Sequence, residues 1–410
     1  MWKRAAVGLL VVCASVATSE ARLLFADQVR DGVGGVDGIA GARGLAISPD
    51  GRHVYAVGAF DDAIAVFRRS TFTGALTFRQ ALRDGSGPVD GLDGPTQVVV
   101  SHDGRFVYVV SGEDAIAVFG RDPDSGELGF VTAYLGVGAA AGAARGVSDI
   151  AISPDDASVY AATDADTVIG FSRNDASGLL TVIDVEREGV DGVAGLTSIG
   201  SLALSPDGSR LYGLGFHTFV TFEREPSGHL HFLGRALAFA ELAIGAGAVA
   251  VASNGLDVYA TANAQGGALG RLRPDAAPGA LSLIDALFSG SAVGGLGEPR
   301  DIALSADGAW IFVGGANTEI GAFRRLADGG FEFSEEEDRG LTSVFSLAVS
   351  PDSQYLYATG ANSNSVVAFR IAADQGPVEI PALSPLGIAV AIAALAVALP
   401  ILMRRRASIG

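Results

Sequence analysis

The chain repeats one short pattern seven times, and this repetition restricts its fold more than any other feature. The first copy, LAISPDGRHVYAVGAFDDAIAVF (45–67), has the pattern of strand, tight turn, strand, loop and strand. Proline fixes φ at the second position of the SPDG turn, and Asp-Gly supplies a residue that tolerates positive φ. Apolar and β-branched runs on both sides of the turn predict strands.

The other six copies follow at roughly 50-residue intervals, which is typical of a repeat architecture. The residues at the position that begins the turn are Ser48, Ser101, Ser153, Ser205, Ala252, Ser305 and Ser350. The aromatic residues seven positions later are Tyr55, Tyr108, Tyr160, Tyr212, Tyr259, Phe312 and Tyr357. Each unit except the last adds a fourth run after a glycine turn, as LTFRQAL (76–82) follows Gly74.

Four strands per unit, seven units and no helical periodicity predict an all-β fold. We predict a seven-bladed β-propeller with four antiparallel strands per blade. The first strand of each blade should lie nearest the axis, with both faces buried and a small residue such as Ala46 at its centre.

The repeats begin out of phase, and this predicts how the ring closes. The segment RLLFADQVRDGVGGVDGIAG (22–41) matches the fourth strand and exit loop of blade 1, LTFRQALRDGSGPVDGLDG (76–94). The seventh copy stops at Ile371 without a fourth strand. We therefore expect Leu23 to Gln28 to complete blade 7, which leaves no open sheet edge between the first and last blades.

The two ends of the chain predict export and a membrane anchor. Residues 1–21 have a basic start, a short apolar core and small residues at a cleavage site, as in a secretory signal. A lipoprotein signal through Cys13 is the alternative, although Val12 stands where a small residue is wanted. The propeller is assigned to 22–371, followed by a linker and sorting motif (372–385), a transmembrane helix (386–403) and a basic cytoplasmic tail (404–410).

The C-terminal segments resemble bacterial sorting tags of the IPTL/PEP type. The features that carry the resemblance are IPALSPLG (380–387), the apolar run and the arginine cluster 404–406. The resemblance implies proteolytic removal of the tag, with surface attachment or release, and a plain membrane anchor is the alternative. Either way, we expect an exported protein of the cell envelope or surface, bound to the membrane through its C-terminal helix or released after processing.

Charge and cysteine content exclude several classes of function. A net charge of −18 repels phosphate backbones, so no nucleic-acid partner is expected. The single cysteine, Cys13, lies in the predicted signal, so the mature chain has no disulfide and no thiolate zinc site. We predict no metal and no cofactor. Two alternatives stay open, a metal held by His229 and His231, and calcium held by Asp- and Gly-rich loops (31–38, 84–94 and 188–192).

The repeats resemble the lactonase-like, YVTN-type seven-bladed propellers. SPDGRHVYAVG (48–58), SHDGRFVYVVS (101–111) and SPDGSRLYGLG (205–215) carry the resemblance, which extends over 23–371. It implies kinship with 6-phosphogluconolactonase-like enzymes, muconate-lactonising enzymes and cell-surface proteins. Enzymatic members commonly have a Gly-Pro-Arg-His run before the inner strand, whereas here Asp301 follows Pro299-Arg300 in place of the histidine.

The axial mouth, just before each inner strand, is where a propeller usually binds its ligand. Blades 1 and 6 flank blade 7, so Arg43 and Arg300 are predicted to converge with Phe345 between them and to grip a carboxylate or phosphate. Gln97 is predicted to contact the same substrate. Asp149 or Asp301 is the candidate general base for lactone hydrolysis. In the alternative interpretation, the two arginines pair with nearby aspartates and hold loops.

Two hypotheses for function follow from these observations. In the first, the chain is a monomeric, surface-anchored propeller that binds or scaffolds a surface protein or a small carboxylate or sugar ligand. In the second, it is a lactone hydrolase of the 6-phosphogluconolactonase type. The sequence does not decide whether the protein is an enzyme.

Overall fold

The computed structural model describes residues 23–112, 114–137, 146–216, 218–236, 247–263, 266–290, 292–317, 319–337 and 339–372. They belong to one compact unit that extends from 21 to 373. The predicted signal peptide, sorting motif, transmembrane helix and basic tail lie outside the described residues. In the part that is described, no helix is long and apolar enough to span a membrane.

The described residues form seven antiparallel sheets of four strands each, which confirms the predicted propeller. Blade 1 contains β2 (Ala42–Ile47), β3 (His53–Gly58), β4 (Ala63–Arg69) and β5 (Leu76–Arg83). Blade 2 contains β6 (Pro95–Val100), β7 (Phe106–Ser111), β8 (Ala115–Arg121) and β9 (Leu128–Leu135). Blade 3 contains β10 (Val147–Ile152), β11 (Ser158–Thr163), β12 (Thr167–Arg173) and β13 (Leu180–Arg187).

Blades 4 to 7 repeat this order. Blade 4 contains β14 (Ser201–Leu204), β15 (Arg210–Gly215), β16 (Thr218–Arg224) and β17 (Leu230–Ala236). Blade 5 contains β18 (Val249–Val251), β19 (Val258–Ala262), β20 (Ala268–Pro274) and β21 (Leu281–Phe288). Blade 6 contains β22 (Pro299–Leu304), β23 (Trp310–Gly315), β24 (Ile320–Arg325) and β25 (Phe331–Glu337). Blade 7 contains β26 (Val344–Val349), β27 (Tyr355–Gly360), β28 (Ser365–Ile371) and β1 (Leu23–Arg30).

The first strand of the described chain closes the ring. β1 pairs antiparallel with β28, from Leu23 opposite Ile371 to Arg30 opposite Ser365. This confirms that the N-terminal strand completes blade 7, and the strand extends two residues beyond the predicted end at Gln28. The unpaired edge that the last blade would otherwise present is thereby covered.

The repeated turn has the geometry that its sequence predicts. Gly51 has a φ of +68° and its amide donates to the Ser48 carbonyl at 2.8 Å. Asp156 and Ser353, which replace this glycine in blades 3 and 7, have φ values of +58° and +54°. The Ser48 hydroxyl oxygen accepts the His53 amide at 3.0 Å, so the serine closes the turn against the next strand.

The hydrophobic core lies between neighbouring blades. The second strand of each blade is almost entirely buried, as all six residues of β3 are. The inner strand is less buried, because Ala46 and Ile47 in β2 are partly exposed. The prediction that both faces of the inner strand are buried is therefore wrong. One face of an inner strand looks toward the axis, where no blade packs against it.

Candidate functional site at the axial mouth

One cavity collects side chains from all seven blades at the start of their inner strands. Its volume is about 440 Å³. The residues that line it are Arg43, Thr96, Gln97, Ser148, Asp149, Gly200, Ser201, Gly247, Ala248, Asn263, Glu298, Pro299, Arg300, Asp301 and Phe345. All six predicted site residues are among them, so the structure brings the predicted site together in one place.

β-Bulges aim several of these side chains at the mouth. The pairing of the inner with the second strand shifts register between Ala42 and Leu45 in blade 1, and between Pro299 and Asp301 in blade 6. Arg43 and Arg300 lie inside these shifts. A bulge leaves its extra residue unpaired and re-aims the side chain. The repeat alignment placed these residues in register but gave no sign of a bulge.

Arg43 and Arg300 lie over the same aromatic ring. The guanidinium carbon of Arg43 is 5.3 Å from the centre of the Phe345 ring, and that of Arg300 is 4.1 Å from it. The two guanidiniums are therefore no farther apart than the sum of these distances, which is within the roughly 10 Å of one Debye length. Both contacts fall in the range of cation–π interactions.

No carboxylate among the described residues forms a salt bridge with either arginine. The alternative in which they pair with nearby aspartates thus finds no support in the described part of the chain. Burial lowers the pKa of Arg300, Glu298 acts in the opposite direction, and the charge of Arg43 lowers it further. Two like charges that face one cavity without a counterion at contact distance favour an anionic ligand.

The two candidate bases join the inner strands of adjacent blades. One carboxylate oxygen of Asp149 accepts its neighbour's amide, from Ile150, and the other accepts the Leu202 amide of the next blade at 2.7 Å. Asp301 repeats this arrangement with Ile302 and with Leu347, also at 2.7 Å. Each aspartate therefore stabilises the ring, whatever else it does.

Burial makes both carboxyls weaker acids than an ordinary aspartic acid. It raises the pKa of Asp149 to about 7, against backbone hydrogen bonds that lower it, and the charge of Asp301 raises it further. Burial likewise raises the pKa of Asp301 to about 6, against hydrogen bonds from two backbone amides and Ser346. A carboxyl that titrates near neutral pH suits general-base catalysis.

Gln97 occupies the equivalent position in blade 2. Its side-chain oxygen accepts the Val98 amide at 3.0 Å, and its side chain also interacts with Asp149. Opposite it in blade 1 is Gly44, where a Cβ atom would come within 2.6 Å of the Gln97 Cα. The close approach of these two inner strands sets the wall of the cavity between Arg43 and Asp149.

One of the loops considered for calcium, 31–38, forms an acidic cluster with Asp61, which lies outside those loops. Asp31, Asp37 and Asp61 have carboxylate oxygens within 4.8 Å of one another. Arg83 already forms ion pairs with Asp37 at 2.7 Å and with Asp61 at 3.4 Å. In the described part of the chain no histidine belongs to a group of three close ligands, so the metal site considered at His229 and His231 lacks a third one.

Comparisons with known proteins agree with this architecture. Residues 32–194 match a family model described as "Lactonase, 7-bladed beta-propeller". This match supports a lactonase-like propeller and spans the segment from the loop after β1 to beyond the end of blade 3. No curated protein sequence matches the chain.

Many solved structures are similar in fold. A "putative 6-phosphogluconolactonase" from Bacteroides uniformis has a TM-score of 0.60 and 20% identity, and the alignment covers 76% of this chain and 89% of that one. A second such protein, from Bacteroides fragilis, has a TM-score of 0.59 and 19% identity, with 75% and 86% covered. A chain of the mitotic checkpoint complex has a TM-score of 0.62 and 13% identity, with 90% and 96% covered. At these identities the likeness shows the fold alone.

Proposed function

We propose that the axial mouth binds a small ligand that carries a carboxylate or phosphate group. The observation that supports this most directly is that the guanidiniums of Arg43 and Arg300 both lie against the ring of Phe345, with no carboxylate salt bridge among the described residues. Arginine presents a planar fork of donors that matches the oxygens of a carboxylate or phosphate. Phe345 contacts both guanidiniums and holds their spacing.

The charge of the rest of the chain makes this local arrangement selective. A net charge of −18 repels anions from most of the surface. An anion would therefore be retained only where positive charges converge. The ligand's remaining part would face Gln97 and the hydroxyl groups of Thr96 and Ser148, which are suited to sugar hydroxyls.

Lactone hydrolysis at the same site is the second candidate. The Asp149 carboxylate would take a proton from water, whose oxygen attacks the lactone carbonyl carbon. The ring C–O bond then breaks, and the ring oxygen takes up a proton to give a hydroxy acid. A pKa of about 7 for Asp149 and the similarity to "putative 6-phosphogluconolactonases" favour this candidate. One guanidinium would stabilise the oxyanion, and the other would hold the phosphate.

Two observations favour binding without chemistry over hydrolysis. Both oxygens of Asp149 and of Asp301 already accept backbone amides, which favours a structural role. Asp301 also stands where enzymatic members of the resembled family commonly have a histidine.

Calorimetric titration of the full chain with 6-phosphogluconate, gluconate and glucose tests the binding proposal. We expect the two anions to bind and glucose not to bind. The Arg43→Ala/Arg300→Ala variant should lose both interactions. Arg235→Ala removes an exposed arginine of β17 and is the matched control. Equal binding by the parent and the double variant would refute the proposed site.

Proton release on mixing with 6-phosphoglucono- and gluconolactone tests the second candidate. If the chain is a hydrolase, the parent releases protons faster than the Asp149→Asn and double-arginine variants. If the parent shows no rate above the spontaneous reaction, the binding proposal alone remains. Hydrolysis that survives in both variants would place the chemistry elsewhere.

We further propose that the propeller is exported and displayed at the cell envelope. The support is the pattern of the segments 1–21 and 372–410, with their basic, apolar and arginine-rich parts. Fractionation of cells that express the full chain, and of cells that express a chain ending at Ala373, tests this. Membrane retention of the shorter chain would contradict the anchor, and accumulation of the full chain in the cytosol would contradict export.

A further inference from the structure

We propose a second binding site, at the outer seam between blades 1 and 2, for the phosphate or sulfate ester of a small alcohol such as a sugar. Arg52, Arg68 and Arg79 line a cavity of about 600 Å³ there, beside the exposed ring of Phe72. None of these residues belongs to the axial mouth, so the proposal does not depend on the proposed function.

Strand register brings the three arginines together. Arg68 in β4 pairs with His53 of β3 on one side and with Thr77 of β5 on the other. His53, Arg68 and Thr77 therefore form a row across the blade. Arg79 is the extra residue of a bulge in β5, because Val66 pairs with Gln80 and Phe67 with Phe78. Arg52 precedes His53 in the turn that leads into β3.

The other blades do not repeat this set, although they repeat the backbone. The residues at the Arg79 bulge position are Val131, Ile183, Leu233, Ile284, Ser334 and Ala26 in blades 2 to 7. At the other two positions, each of those blades has at most one arginine. Only blade 1 therefore has a basic residue at all three positions, which the repeat itself does not require.

Two of the arginines in this cavity, Arg68 and Arg79, are not neutralised by contact, whereas Arg69, which also lines it, pairs with Asp352 at 2.9 Å. Arg68 and Arg79 form no salt bridge with a carboxylate among the described residues. Arg52 approaches Asp50 at 3.4 Å, but Asp50 is held more closely by Arg121, at 2.7 Å. Asp124 also lines the cavity, so the excess charge there is positive in a chain whose net charge is −18.

The positive charges of this cavity also affect the pKa of His53. Burial lowers its pKa, and the charges of Arg121, Arg52 and Arg68 lower it further, against Asp50. Its Nδ1 lies 2.9 Å from the guanidinium of Arg121 and accepts that hydrogen bond, so the ring is neutral. The neutral imidazole leaves the arginines as the cationic groups that an anion would contact.

The aromatic neighbour favours an ester over a free ion. Phe72 is 89% exposed, so its ring is open to the apolar face of a ligand that is held in the cavity. An ester places its oxyanion on the arginine forks while the alcohol part covers the ring. Inorganic phosphate would use the arginines alone.

The test uses the full chain with Arg43→Ala/Arg300→Ala, so that the axial mouth does not contribute. It is titrated by calorimetry with glucose 6-phosphate, inorganic phosphate and glucose. We expect glucose 6-phosphate to bind most tightly, inorganic phosphate more weakly, and glucose not at all. Adding Arg79→Val, which installs the residue of blade 2, should weaken binding about tenfold, as expected for one charge-assisted contact. Arg235→Val is the matched control and should leave it unchanged.

Phe72→Ala distinguishes a site that recognises a phosphate ester from one that recognises free phosphate. It should bring glucose 6-phosphate down to the affinity of inorganic phosphate and leave inorganic phosphate unaffected. The proposal is overturned if neither anion binds with a Kd of about 10 mM or lower. It is also overturned if Arg79→Val has no effect or if Arg235→Val weakens binding equally. Each result leaves the axial mouth to be judged by its own variants.

Discussion

The Nε of Arg121 in blade 2 donates a 2.7 Å hydrogen bond to the hydroxyl of Tyr55 in blade 1. The same guanidinium donates to the Gly104 carbonyl at 2.9 Å and to Asp50 at 2.7 Å. The Tyr55 hydroxyl in turn donates to the Gly126 carbonyl at 3.0 Å. Both side chains are buried, so this network joins the two blades where water cannot replace it.

Four other seams have the same arginine–tyrosine contact. The pairs are Arg69 with Tyr357, Arg173 with Tyr108, Arg224 with Tyr160 and Arg325 with Tyr259. At the seam of blades 6 and 7 both partners are replaced, by Phe312 and Ile371. At the seam of blades 4 and 5 only the arginine is replaced, by Pro274. The buried Tyr212 hydroxyl has no partner within 3.5 Å among the described residues, although Arg210 of its own blade is near enough to lower its pKa against the larger effect of burial.

Because of this difference, replacing tyrosine by phenylalanine should affect stability differently at the two equivalent positions 55 and 212. Tyr55→Phe should lower the free energy of unfolding by about 1–3 kcal/mol, because the buried Arg121 and Gly126 groups lose their partner. Tyr212→Phe should change it by less than about 0.5 kcal/mol or raise it, because the Tyr212 hydroxyl makes no hydrogen bond within 3.5 Å to the described residues of the neighbouring blade. Urea unfolding of both variants measures the difference. Equal losses would contradict the assigned role of the arginine.

The sequence predicted the architecture well because each repeat carries its own signal. The turn residues and the aromatic residues recur at fixed positions of the repeat, and the segment that forms the displaced first strand matches the fourth strand of blade 1 in sequence. An arginine stands two residues after five of the six third-strand phenylalanines, as Arg69 follows Phe67, and this pattern is just as regular in the sequence. Its meaning depends on a neighbouring blade, and a single repeat does not contain that contact.

The axial mouth shows what the sequence could and could not supply. Counting back from the turn identified Arg43, Arg300 and Phe345 as neighbours, because equivalent positions in a ring meet at the axis. The sequence does not predict the bulges that aim these side chains. Nor does it predict the hydrogen bond that the second carboxylate oxygen of Asp149 accepts from the Leu202 amide of the next blade. Both depend on how closely adjacent inner strands approach.

That approach can be tested at Gly44. A Cβ atom there would come within 2.6 Å of the Gln97 Cα, so Gly44→Ala must move one of the two inner strands. We expect a loss of about 1–3 kcal/mol in the free energy of unfolding and weaker ligand binding at the mouth. Gly129→Ala is the control, because a Cβ at this exposed position in β9 meets nothing within 4 Å. A neutral Gly44→Ala would mean that the blades separate readily at the axis.

Ring closure by β1 predicts a contrast between two adjacent leucines. Leu23 is 3% exposed and packs in a cluster with Phe369 and Ile371, whereas Leu24 is 44% exposed. Leu23→Ala should therefore lower the free energy of unfolding by about 2 kcal/mol or more, and Leu24→Ala by less than about 0.5 kcal/mol. Chemical unfolding of the two variants measures this. A larger loss for Leu24→Ala would indicate that the strand pairs in a shifted register, which reverses its faces.

The buried carboxyl of Asp149 predicts how stability depends on pH. Its pKa of about 7 in the folded protein lies above the ordinary value of 3.8, so the folded state holds this proton more tightly than the unfolded state does. The corresponding stabilisation is fully present below about pH 4 and is lost as the pH rises through 7. Asp149→Asn removes this titration. The parent should therefore lose more stability than the variant between pH 5 and 8, by on the order of 1 kcal/mol or more.

Asp301→Asn provides the matched comparison, because the pKa of Asp301 is raised only to about 6. Its pH-dependent difference from the parent should be smaller and should be complete at a lower pH. Urea unfolding of the parent and both variants at pH 5, 6, 7 and 8 separates the two groups. A parent that instead gains stability relative to Asp149→Asn as the pH rises would mean that the two backbone amides outweigh burial. The carboxylate would then stay ionised at neutral pH as a structural link between blades 3 and 4, with too little proton affinity to act as a general base.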